Sequence, residues 1–378
     1  MRLGEHVITG HMYHSKTYTV ESVTSGHPDK VCDQISDAIL DACLVQDPMS
    51  RVAVESFGGH GHLVIGGEIT TNAQIDADKI ARDVYTGIGY TDPLTIDIHL
   101  VQQSPDIAQG VDTGGAGDQG IMYGYATNET SEYLPWAVVK VHELARNLEL
   151  MRTSKMIPYL GPDGKTQITM HDSKPASVLV STQHAPGTNQ TQLRDDIIRH
   201  VIAPTIGDLA NVEIFTNPTG KFELGGFAAD TGLTGRKIMV DTYCGLVPHG
   251  GGAFSGKDAT KVDRSAAYMA RFAAKNLVHQ GYGNKILVSV AYAIGRAEPL
   301  MVHAVNEQGR DLSAETKNQF DFRPRAIIER LDLRKPIFQG TATYGHFGKP
   351  PPDTTSYQRA AVSGKECVWC YRTIARRC

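Results

Sequence analysis

A glycine- and lysine-rich segment from His249 to Arg264 has the composition of a site for an anionic ligand. Its glycines let backbone N–H groups approach an anion without a Cβ in the way, and a following helix N-terminus adds a positive end. Lys257 and Lys261 are four residues apart, which would place both ammonium groups on one helical face. Asp263 offers a carboxylate for a magnesium ion that bridges phosphates. The segment therefore predicts a phosphate-binding site, although a glycine-rich surface turn before a charged helix start has a similar composition.

Residues 251–257 also nearly fit the P-loop of nucleotide-binding proteins, because they read Gly-x-x-x-x-Gly-Lys. The next residue is Asp258, whereas a P-loop needs a serine or threonine hydroxyl there for magnesium. The mismatch argues against a P-loop but keeps nucleotide phosphate as the ligand class.

Two shorter clusters also combine cations with oxygen ligands. Gly26-His27-Pro28-Asp29-Lys30 places a hydrogen-bond donor, a carboxylate and a cation in a turn that opens a predicted helix. A capped helix start would look the same, so function and structure explain this cluster equally well. In Asp230-Thr-Gly-Leu-Thr-Gly-Arg236-Lys237 two adjacent cations precede a predicted buried strand, and such a pair often arises by chance.

Three further patterns do not predict a site. Gly115-x-Gly117-x-x-Gly120 has the spacing of a dinucleotide-binding fingerprint, but no strand leads into it and no helix follows it. The pair His60 and His62 precedes a strand and is best interpreted as surface histidines. The pair Cys367-x-x-Cys370 has no second pair to complete a zinc or redox site.

The elements that must position these candidates are predicted to be helices and strands that alternate along the chain. The apolar spacing of Val31, Ile35 and Ile39 predicts a helix over residues 30–45, and Pro28 and Asp29 suit its start. Further helices are predicted over residues 73–85, 134–151, 193–201, 262–279 and 323–331, strands over 51–57, 63–71, 176–182, 237–243, 286–293 and 299–305, and loops over 102–120 and 248–259. Three groups of similar content suggest three α+β domains, each a sheet with helices on one face.

The composition narrows the function classes. The chain has 378 residues, 41% hydrophobic and 21% charged, as in ordinary soluble proteins. A formal net charge of −4 gives no global basic field for nucleic acid or an anionic membrane, so an anionic ligand needs a local cluster of cations. The sequence shows neither a bilayer-length apolar stretch nor a signal-peptide apolar block, which predicts a cytoplasmic protein. Its six cysteines are scattered, and Cys32 and Cys43 fit the core of a helix.

A series of motifs follows in one order along the chain: Glu21-Ser-Val-Thr-Ser-Gly-His27-Pro-Asp29-Lys30, Gly66-Gly-Glu68-Ile-Thr-Thr, Gly110-Val-Asp112, Gly117-Asp118-Gln-Gly, Phe215-Thr-Asn-Pro-Thr-Gly220, Gly232-Leu-Thr-Gly-Arg236-Lys237, the run at 250–264, and Tyr344-Gly-His-Phe-Gly348. Taken together, these motifs make the chain resemble the methionine adenosyltransferases over about residues 18–348. One of them would be weak evidence, but this many in one order is highly specific.

The resemblance implies a fold and an assembly. It implies three structurally similar α+β domains, each a mixed β-sheet covered by helices, in a pseudo-three-fold arrangement with partly interleaved chain segments. The expected domains are residues 15–112, 114–224 and 225–364, with flexible ends at 1–14 and 365–378. It also implies a homodimer or a dimer of dimers with active sites between subunits, which would place His27 and the lysines of one site on different chains. The sequence does not decide between dimer and tetramer.

The resemblance also implies a reaction between ATP and L-methionine, with no nucleic acid or membrane partner. Methionine sulfur would attack C5′ of ATP in line to give S-adenosylmethionine, and the tripolyphosphate would then be hydrolysed to pyrophosphate and phosphate. No covalent nucleophile is needed, so catalysis must come from positioning and from stabilising charge on the leaving group. The implied cofactors are Mg²⁺, two ions per site, and K⁺.

The matching motifs assign roles by position. The implied catalytic residues are His27, Lys165, Arg236, Lys237, Lys257 and Lys261. The implied ATP-binding residues are His27, Asp118, Asp163, Gly164, Lys165, Lys221, Phe222, Asp230, Arg236, Lys237, Ala253 and Lys257. The implied methionine-binding residues are Glu68, Gln103, Asp230 and Lys261. The implied metal ligands are Asp29, Asp263 and Glu21 for magnesium and Glu55 for potassium.

The segment that resembles the family's lid departs from the family pattern. After Gly110-Val-Asp112 only Thr113 and Gly114 precede Gly115, whereas the family has a longer stretch, often beginning with arginine. The segment before Gln103 is also short. We expect the shortened lid, residues 103–117, to alter closure, product release or substrate tolerance rather than to abolish the chemistry.

Two alternatives stay open at this point. A phosphotransferase that uses the glycine-lysine loop on ATP would yield ADP or AMP, although Asp258 and the motif at residues 66–71 argue against it. A regulatory partner that keeps the fold without activity would lack catalytic groups, and here the implied set is complete.

Overall fold

Three separate β-sheets carry the fold of the described residues, 16–102 and 114–349, in the computed structural model. The strands are β1 (Thr17–Val23), β2 (Arg51–Gly59), β3 (His62–Thr70), β4 (Thr95–Val101), β5 (Gly120–Thr127), β6 (Leu160–His171), β7 (Lys174–His184), β8 (Glu213–Thr216), β9 (Gly232–Leu233), β10 (Lys285–Tyr292) and β11 (Met301–Asn306). Their orders are β4-β3-β2-β9, β11-β10-β5 and β1-β6-β7-β8.

Helices cover these sheets. In the described ranges they are α1 (Pro28–Gln46), α2 (Ala77–Ile88), α3 (Trp136–Thr153), α4 (Gln190–Ile197), α5 (Ala203–Ile206), α6 (Ile238–Asp241), α7 (Val262–His279), α8 (Ser313–Gln319) and α9 (Pro324–Arg330), with a π-helical turn, Ile198–Ile202, joining α4 to α5. The three predicted sheet-and-helix units are therefore confirmed. None of the helices in these ranges is long and apolar enough to cross a membrane.

Each sheet combines strands that are distant along the chain. β1 lies antiparallel to β6, with Val23 opposite Lys165. β5 pairs with β10, and the short β9 pairs with β2, where Leu233 is opposite Phe57. The β1–β6 pairing brings residues near 25 and 165 together, and the hydrogen bond from the Leu233 N–H to Asp29 Oδ1 places residue 233 beside the start of α1.

Helix α1 begins where the sequence predicts. His27 is its N-cap in extended backbone, Pro28 occupies the first turn, and Asp29 meets the positive end of the helix dipole. Val31, Ile35 and Ile39 are fully buried. Its start is thus fixed by local capping and by an apolar face, and the two cysteines assigned to the core, Cys32 and Cys43, are buried as well.

Two local predictions are wrong. Residues 238–241, predicted within a strand, form the short helix α6, because a brief apolar run does not by itself distinguish helix from strand. The predicted helical face joining Lys257 to Lys261 does not exist. Lys257 lies in an isolated bridge to Ala53 of β2, and Lys261 is the N-cap of α7, so both lysines precede the helix.

The apolar core is divided in two. One cluster joins α1, β2 and β3 to α7 and the sheet of β5, β10 and β11, while a second lies under the sheet of β1, β6, β7 and β8 with α3 and α4. β5 approaches α7 closely at Gly124, where a Cβ atom would lie 1.9 Å from the carbonyl carbon of Ala270. Only glycine fits there, and the buried alanines of α7 allow the same close approach.

One face of the sheet containing β2 and β3 is open. Val52 and Val54 of β2 and Leu63 and Ile65 of β3 are buried, and β2 packs against α1. The alternate residues point the other way. We call these the open sheet face: Ala53, Glu55 and Phe57 of β2 with Val64, Gly66 and Glu68 of β3. Phe57 is 47% exposed, although it is a large apolar side chain on a sheet.

Candidate active site

Five of the candidate residues meet at the start of α1. Asp29 is buried, and its Oδ2 lies 2.5 Å from Lys237 Nζ while its Oδ1 lies 3.5 Å from Arg236 Nε. His27 precedes it as the N-cap, and Lys165 of β6 is close enough to lower the pKa of His27. We call His27, Asp29, Lys165, Arg236 and Lys237 the α1 cluster. It combines three cations with one carboxylate beside a helix N-terminus, which favours an anionic ligand.

His27 is held as a neutral hydrogen-bond donor. Burial, and then the charges of Lys237 and Lys165, lower the pKa of His27 to about 3, although Asp29 acts in the opposite direction. Its Nδ1 accepts the backbone N–H of Asp29 at 3.2 Å, so the proton of the neutral ring is on Nε2. The ring can therefore donate one hydrogen bond to an anion without carrying a charge of its own.

Asp29 stays ionised despite its burial. Burial acts to raise the pKa of Asp29, but the hydrogen bonds from Lys237 and from the backbone N–H of Leu233 outweigh it and hold the pKa below the usual range. The same hydrogen bonds tie the segment before Arg236 and Lys237 to α1.

A buried carboxylate stands close to the α1 cluster. Asp163, two residues before Lys165, is 5% exposed, and its Oδ2 accepts the Gly226 N–H at 2.9 Å. Its Oδ1 is buried and has no hydrogen-bond partner in the described part of the chain. Burial raises the pKa of Asp163 to about 6. An unsatisfied buried oxygen of this kind points to a missing polar partner.

The remaining candidates near the α1 cluster differ in their exposure. Gly164 is buried between Asp163 and Lys165, while Asp230 is exposed. Phe222 is half-buried, and its backbone N–H donates a hydrogen bond to His184 Nε2 at 3.1 Å. Lys221 is exposed, and its Nζ lies 3.0 Å from Glu223 Oε2.

A second group forms around the glycine-rich loop before α7. Lys257 Nζ lies 2.5 Å from Asp263 Oδ2, and Lys261 Nζ lies 2.5 Å from Asp258 Oδ2. We call these four residues the loop cluster. The loop bends tightly over Asp263, because a Cβ on Gly252 would lie 2.4 Å from its carboxyl carbon. Asp258 therefore serves as an anchor for Lys261 and for the Val52 N–H, which explains the mismatch with a P-loop.

Sheet pairing brings further candidates beside the loop cluster. Ala53 of β2 is paired with Glu68 of β3 on one side and forms the isolated bridge to Lys257 on the other. Glu68 and Lys257 are therefore separated by the width of one strand, β2. Asp118 precedes β5 by two residues, and the start of β5 lies close to Asp263. Glu55 lies exposed on the open sheet face, and Gln103 lies outside the described residues, as does most of the predicted lid.

The α1 cluster and the loop cluster remain distinct sets. Their loops touch where a Cβ on Gly235 would lie 2.3 Å from the Cβ of Ala253. Within residues 16–102 and 114–349, however, no hydrogen bond or ion pair joins a side chain of one cluster to a side chain of the other. Glu21, exposed on β1, likewise forms no ion pair with Asp29 or Asp263 in these ranges.

The carboxylates of Asp29 and Asp263 suit a metal ion that is also bound by oxygen atoms of a ligand. Among the described residues there is no group of three or more histidine, cysteine, aspartate or glutamate side chains that could hold a metal by themselves. Mg²⁺ is usually held by one or two carboxylates together with substrate phosphates and water. Asp29 and Asp263, each beside cations that would contact the same phosphates, fit that mode of binding.

Sequence reasoning missed the buried ionic groups behind the site. Lys30, Asp33 and Asp241 form one fully buried set, and Asp37 pairs with Arg264 in another. The signal was present: aspartates recur every four residues along α1, which we interpreted only through its apolar face.

Comparison with known proteins gives matches over nearly the whole described chain. Residues 15–110 match the S-adenosylmethionine synthetase N-terminal domain, residues 113–222 the central domain and residues 224–359 the C-terminal domain. S-adenosylmethionine synthase of Pseudothermotoga lettingae is 49% identical over 90% of this chain and 96% of its own length. S-adenosylmethionine synthase of Clostridium tetani is 48% identical over 88% and 94%, and S-adenosylmethionine synthase 1 of Rhodospirillum rubrum is 50% identical over 88% and 93%.

Proposed function

Because this chain belongs to the S-adenosylmethionine synthetase family, we propose that its two clusters perform the family's synthesis of S-adenosylmethionine from ATP and L-methionine by in-line attack at C5′. Tripolyphosphate is the leaving group, and the same site hydrolyses it to pyrophosphate and phosphate. A cytoplasmic location, where both substrates are available, is part of this proposal.

The observation that carries the proposal is the convergence of three cations on the N-terminus of α1, where Lys165 and Lys237 lie beside the neutral His27 and Arg236 lies beside Asp29. When sulfur displaces the triphosphate, negative charge grows on the bridging oxygen and on the phosphates. A unit charge 4 Å from a cation gains about 4 kcal/mol at an effective dielectric near 20, so several cations lower this barrier substantially.

Each residue of the α1 cluster has a separate task. His27 donates its Nε2–H to the oxygen that leaves C5′. This hydrogen bond becomes stronger as negative charge develops on that oxygen, so it stabilises the transition state more than the bound substrate. Lys165, Arg236 and Lys237 bind the remaining phosphate oxygens. Asp29 holds Lys237 in place through the 2.5 Å contact between their side chains.

The positions of the remaining candidate residues support contacts with the nucleoside of ATP, with its phosphates and with methionine. Asp163, with its unsatisfied Oδ1, and the half-buried ring of Phe222 lie at the nucleoside end with Gly164, Lys221 and Asp118. Lys257 and Ala253 reach the phosphates. Glu68 and Asp230 meet the amino group of methionine together with Gln103, and Lys261 meets its carboxylate.

The family uses divalent and monovalent cations, and we propose Mg²⁺ and K⁺. Asp29 and Asp263 would hold two magnesium ions with the phosphate oxygens, with Glu21 assisting, and Glu55 would hold potassium. When bound, magnesium neutralises phosphate charge and so weakens the bond to the leaving group. The protein's own contribution is to keep the Asp29 carboxylate ionised and to place both carboxylates beside cations that bind the phosphates.

A second copy of the chain completes the site in this proposal. Glu55 and Glu68 lie on the open sheet face, beside the exposed Phe57. Phe57 and the half-exposed Val64 opposite it form a partly exposed apolar patch on this face, and such patches mark surfaces for association. Pairing two such faces about a two-fold axis would bring the loop cluster of one copy to the α1 cluster of the other, as a dimer or within a dimer of dimers.

Product analysis tests the reaction. We expect ATP and methionine, incubated with Mg²⁺ and K⁺, to give S-adenosylmethionine with equal amounts of pyrophosphate and phosphate by mass spectrometry, and nothing without Mg²⁺. The formation of ADP or AMP without S-adenosylmethionine would instead identify a phosphotransferase. Nucleotide binding without turnover would favour an inactive regulatory partner.

A further inference from the structure

Helix α1 carries an aspartate at every fourth position: Asp29, Asp33, Asp37 and Asp41. Side chains four residues apart lie along one face of a helix. Each of these carboxylates accepts a hydrogen bond from the backbone N–H of a distant loop. We call the four residues the aspartate row.

The two middle members bind the backbone directly before proposed catalytic cations. Asp33 Oδ1 accepts the N–H of Gly235, the residue before Arg236, at 2.8 Å. Asp37 Oδ1 accepts the N–H of Gly256, the residue before Lys257, also at 2.8 Å. The two aspartates are one turn apart, about 6 Å along the helix axis. Helix α1 therefore sets the spacing between the two loops.

The Asp33 contact lies in a buried ionic group. Asp33 and Lys30 are fully buried, and Asp33 Oδ2 lies 2.9 Å from Lys30 Nζ. Lys30 also pairs with Asp241 at the end of α6. The segment from Gly235 to Asp241, which carries Arg236 and Lys237, is thus fixed to α1 at both ends.

The backbone at Gly235 is restricted both by its conformation and by its neighbours. Its φ of 79° lies in the left-handed region, which glycine adopts without strain. The Gly235 backbone also packs directly against Ala253 of the glycine-rich loop. A shift of the Gly235 backbone would therefore displace Arg236 and Lys237 and disturb the neighbouring loop together.

We propose that Asp33 is a positioning residue for Arg236 and Lys237, and that Asp37 does the same for Lys257, so that α1 fixes the distance between the cations that hold the triphosphate. The inference rests on the proposed function of those cations. Neither aspartate touches the substrate. Their effect on the rate is indirect, because displacement of a catalytic group by about 1 Å can cost on the order of 100-fold in rate.

Replacing Asp33 tests the proposal. We expect Asp33→Ala to lower kcat about 30- to 100-fold while KM for methionine changes less than about twofold. Asp33→Asn keeps an oxygen that accepts the Gly235 N–H, so it should recover most of kcat, although it loses the charge opposite Lys30. Should Asp33→Ala not fold, Asp33→Glu keeps the charge but moves the acceptor oxygen, and the same loss of kcat is expected.

Asp41→Ala is the matched control on the same helix. Asp41 accepts the N–H groups of Phe338 and Gln339, which belong to neither cluster, at 3.0 and 2.8 Å. We expect it to lower the free energy of unfolding but to leave kcat within about twofold. Equal losses of kcat in folded Asp33→Ala and Asp41→Ala, or a kcat within twofold of native in Asp33→Ala, would overturn the positioning role.

Binding of inorganic tripolyphosphate separates this inference from the proposed reaction. Calorimetry should show at least tenfold weaker binding by Asp33→Ala, with native affinity in Asp41→Ala. This readout decides the role of Asp33 even if the native protein forms no S-adenosylmethionine, a result that would count against the proposed function. Unchanged tripolyphosphate affinity in Asp33→Ala would overturn the inference.

Discussion

Lys237→Met should lower kcat for S-adenosylmethionine formation about 100- to 1,000-fold, since removal of one preorganised electrostatic donor commonly costs that much. Lys237 Nζ lies 2.5 Å from Asp29 Oδ2 and adjoins His27, so its ammonium group is central to the α1 cluster. Methionine keeps the length of the side chain but removes its charge. Steady-state kinetics under saturating ATP and methionine would measure the loss.

The matched control is Lys335→Met. Lys335 also lies 2.5 Å from an aspartate, Asp332, but this pair is about half exposed and belongs to neither cluster. We expect native kcat and a change in the free energy of unfolding within about 1 kcal/mol. A similar fall in kcat for both variants would contradict the electrostatic role of Lys237, as would a Lys237→Met enzyme with native turnover.

Two inactive variants should restore activity to each other when they are co-expressed. If one site uses the α1 cluster of one copy and the loop cluster of another, a mixed dimer of Lys237→Met and Lys257→Met has one intact site. Random pairing makes half of the dimers mixed, so about a quarter of all sites should be native. Activity would rise from below 1% of the native value to roughly 25%.

Co-expression of Lys237→Met with Lys165→Met is the control, because both substitutions fall in the α1 cluster and every site stays damaged. Recovery in that control, or none in the first mixture despite isolation of mixed dimers with two affinity tags, would contradict a site shared between copies. The first mixture would also stay inactive if each chain built its own site.

The sequence was most informative where local chemistry decides the structure. The start of α1 follows from His27, Pro28 and Asp29, and the start of α7 follows from the change from glycine-rich loop to apolar spacing at Val262. Each depends on residues within a few positions, so no long-range contact was needed to predict it.

Residues whose positions depend on distant contacts were not predictable in the same way. The helical face proposed for Lys257 and Lys261 was wrong because Asp258 and the bridge to Ala53 hold that segment outside the helix. Residues 238–241, which fall within the strand predicted over 237–243, form a helix whose end is held by the buried pair of Lys30 and Asp241. The aspartate row was missed because a polar stripe on a helix usually faces water, and here it faces two loops more than 190 residues away along the chain.

The most direct test of the account is to locate the bond that breaks in ATP. ATP carrying ¹⁸O in the bridge between C5′ and the α-phosphorus would be converted with methionine, and the products would be separated and weighed by mass spectrometry. Attack of sulfur on C5′, with the α1 cluster holding the leaving triphosphate, predicts that all of the label appears in pyrophosphate or phosphate. Label retained on the nucleoside would show cleavage between oxygen and phosphorus, and would contradict the assignment of both clusters to a leaving triphosphate.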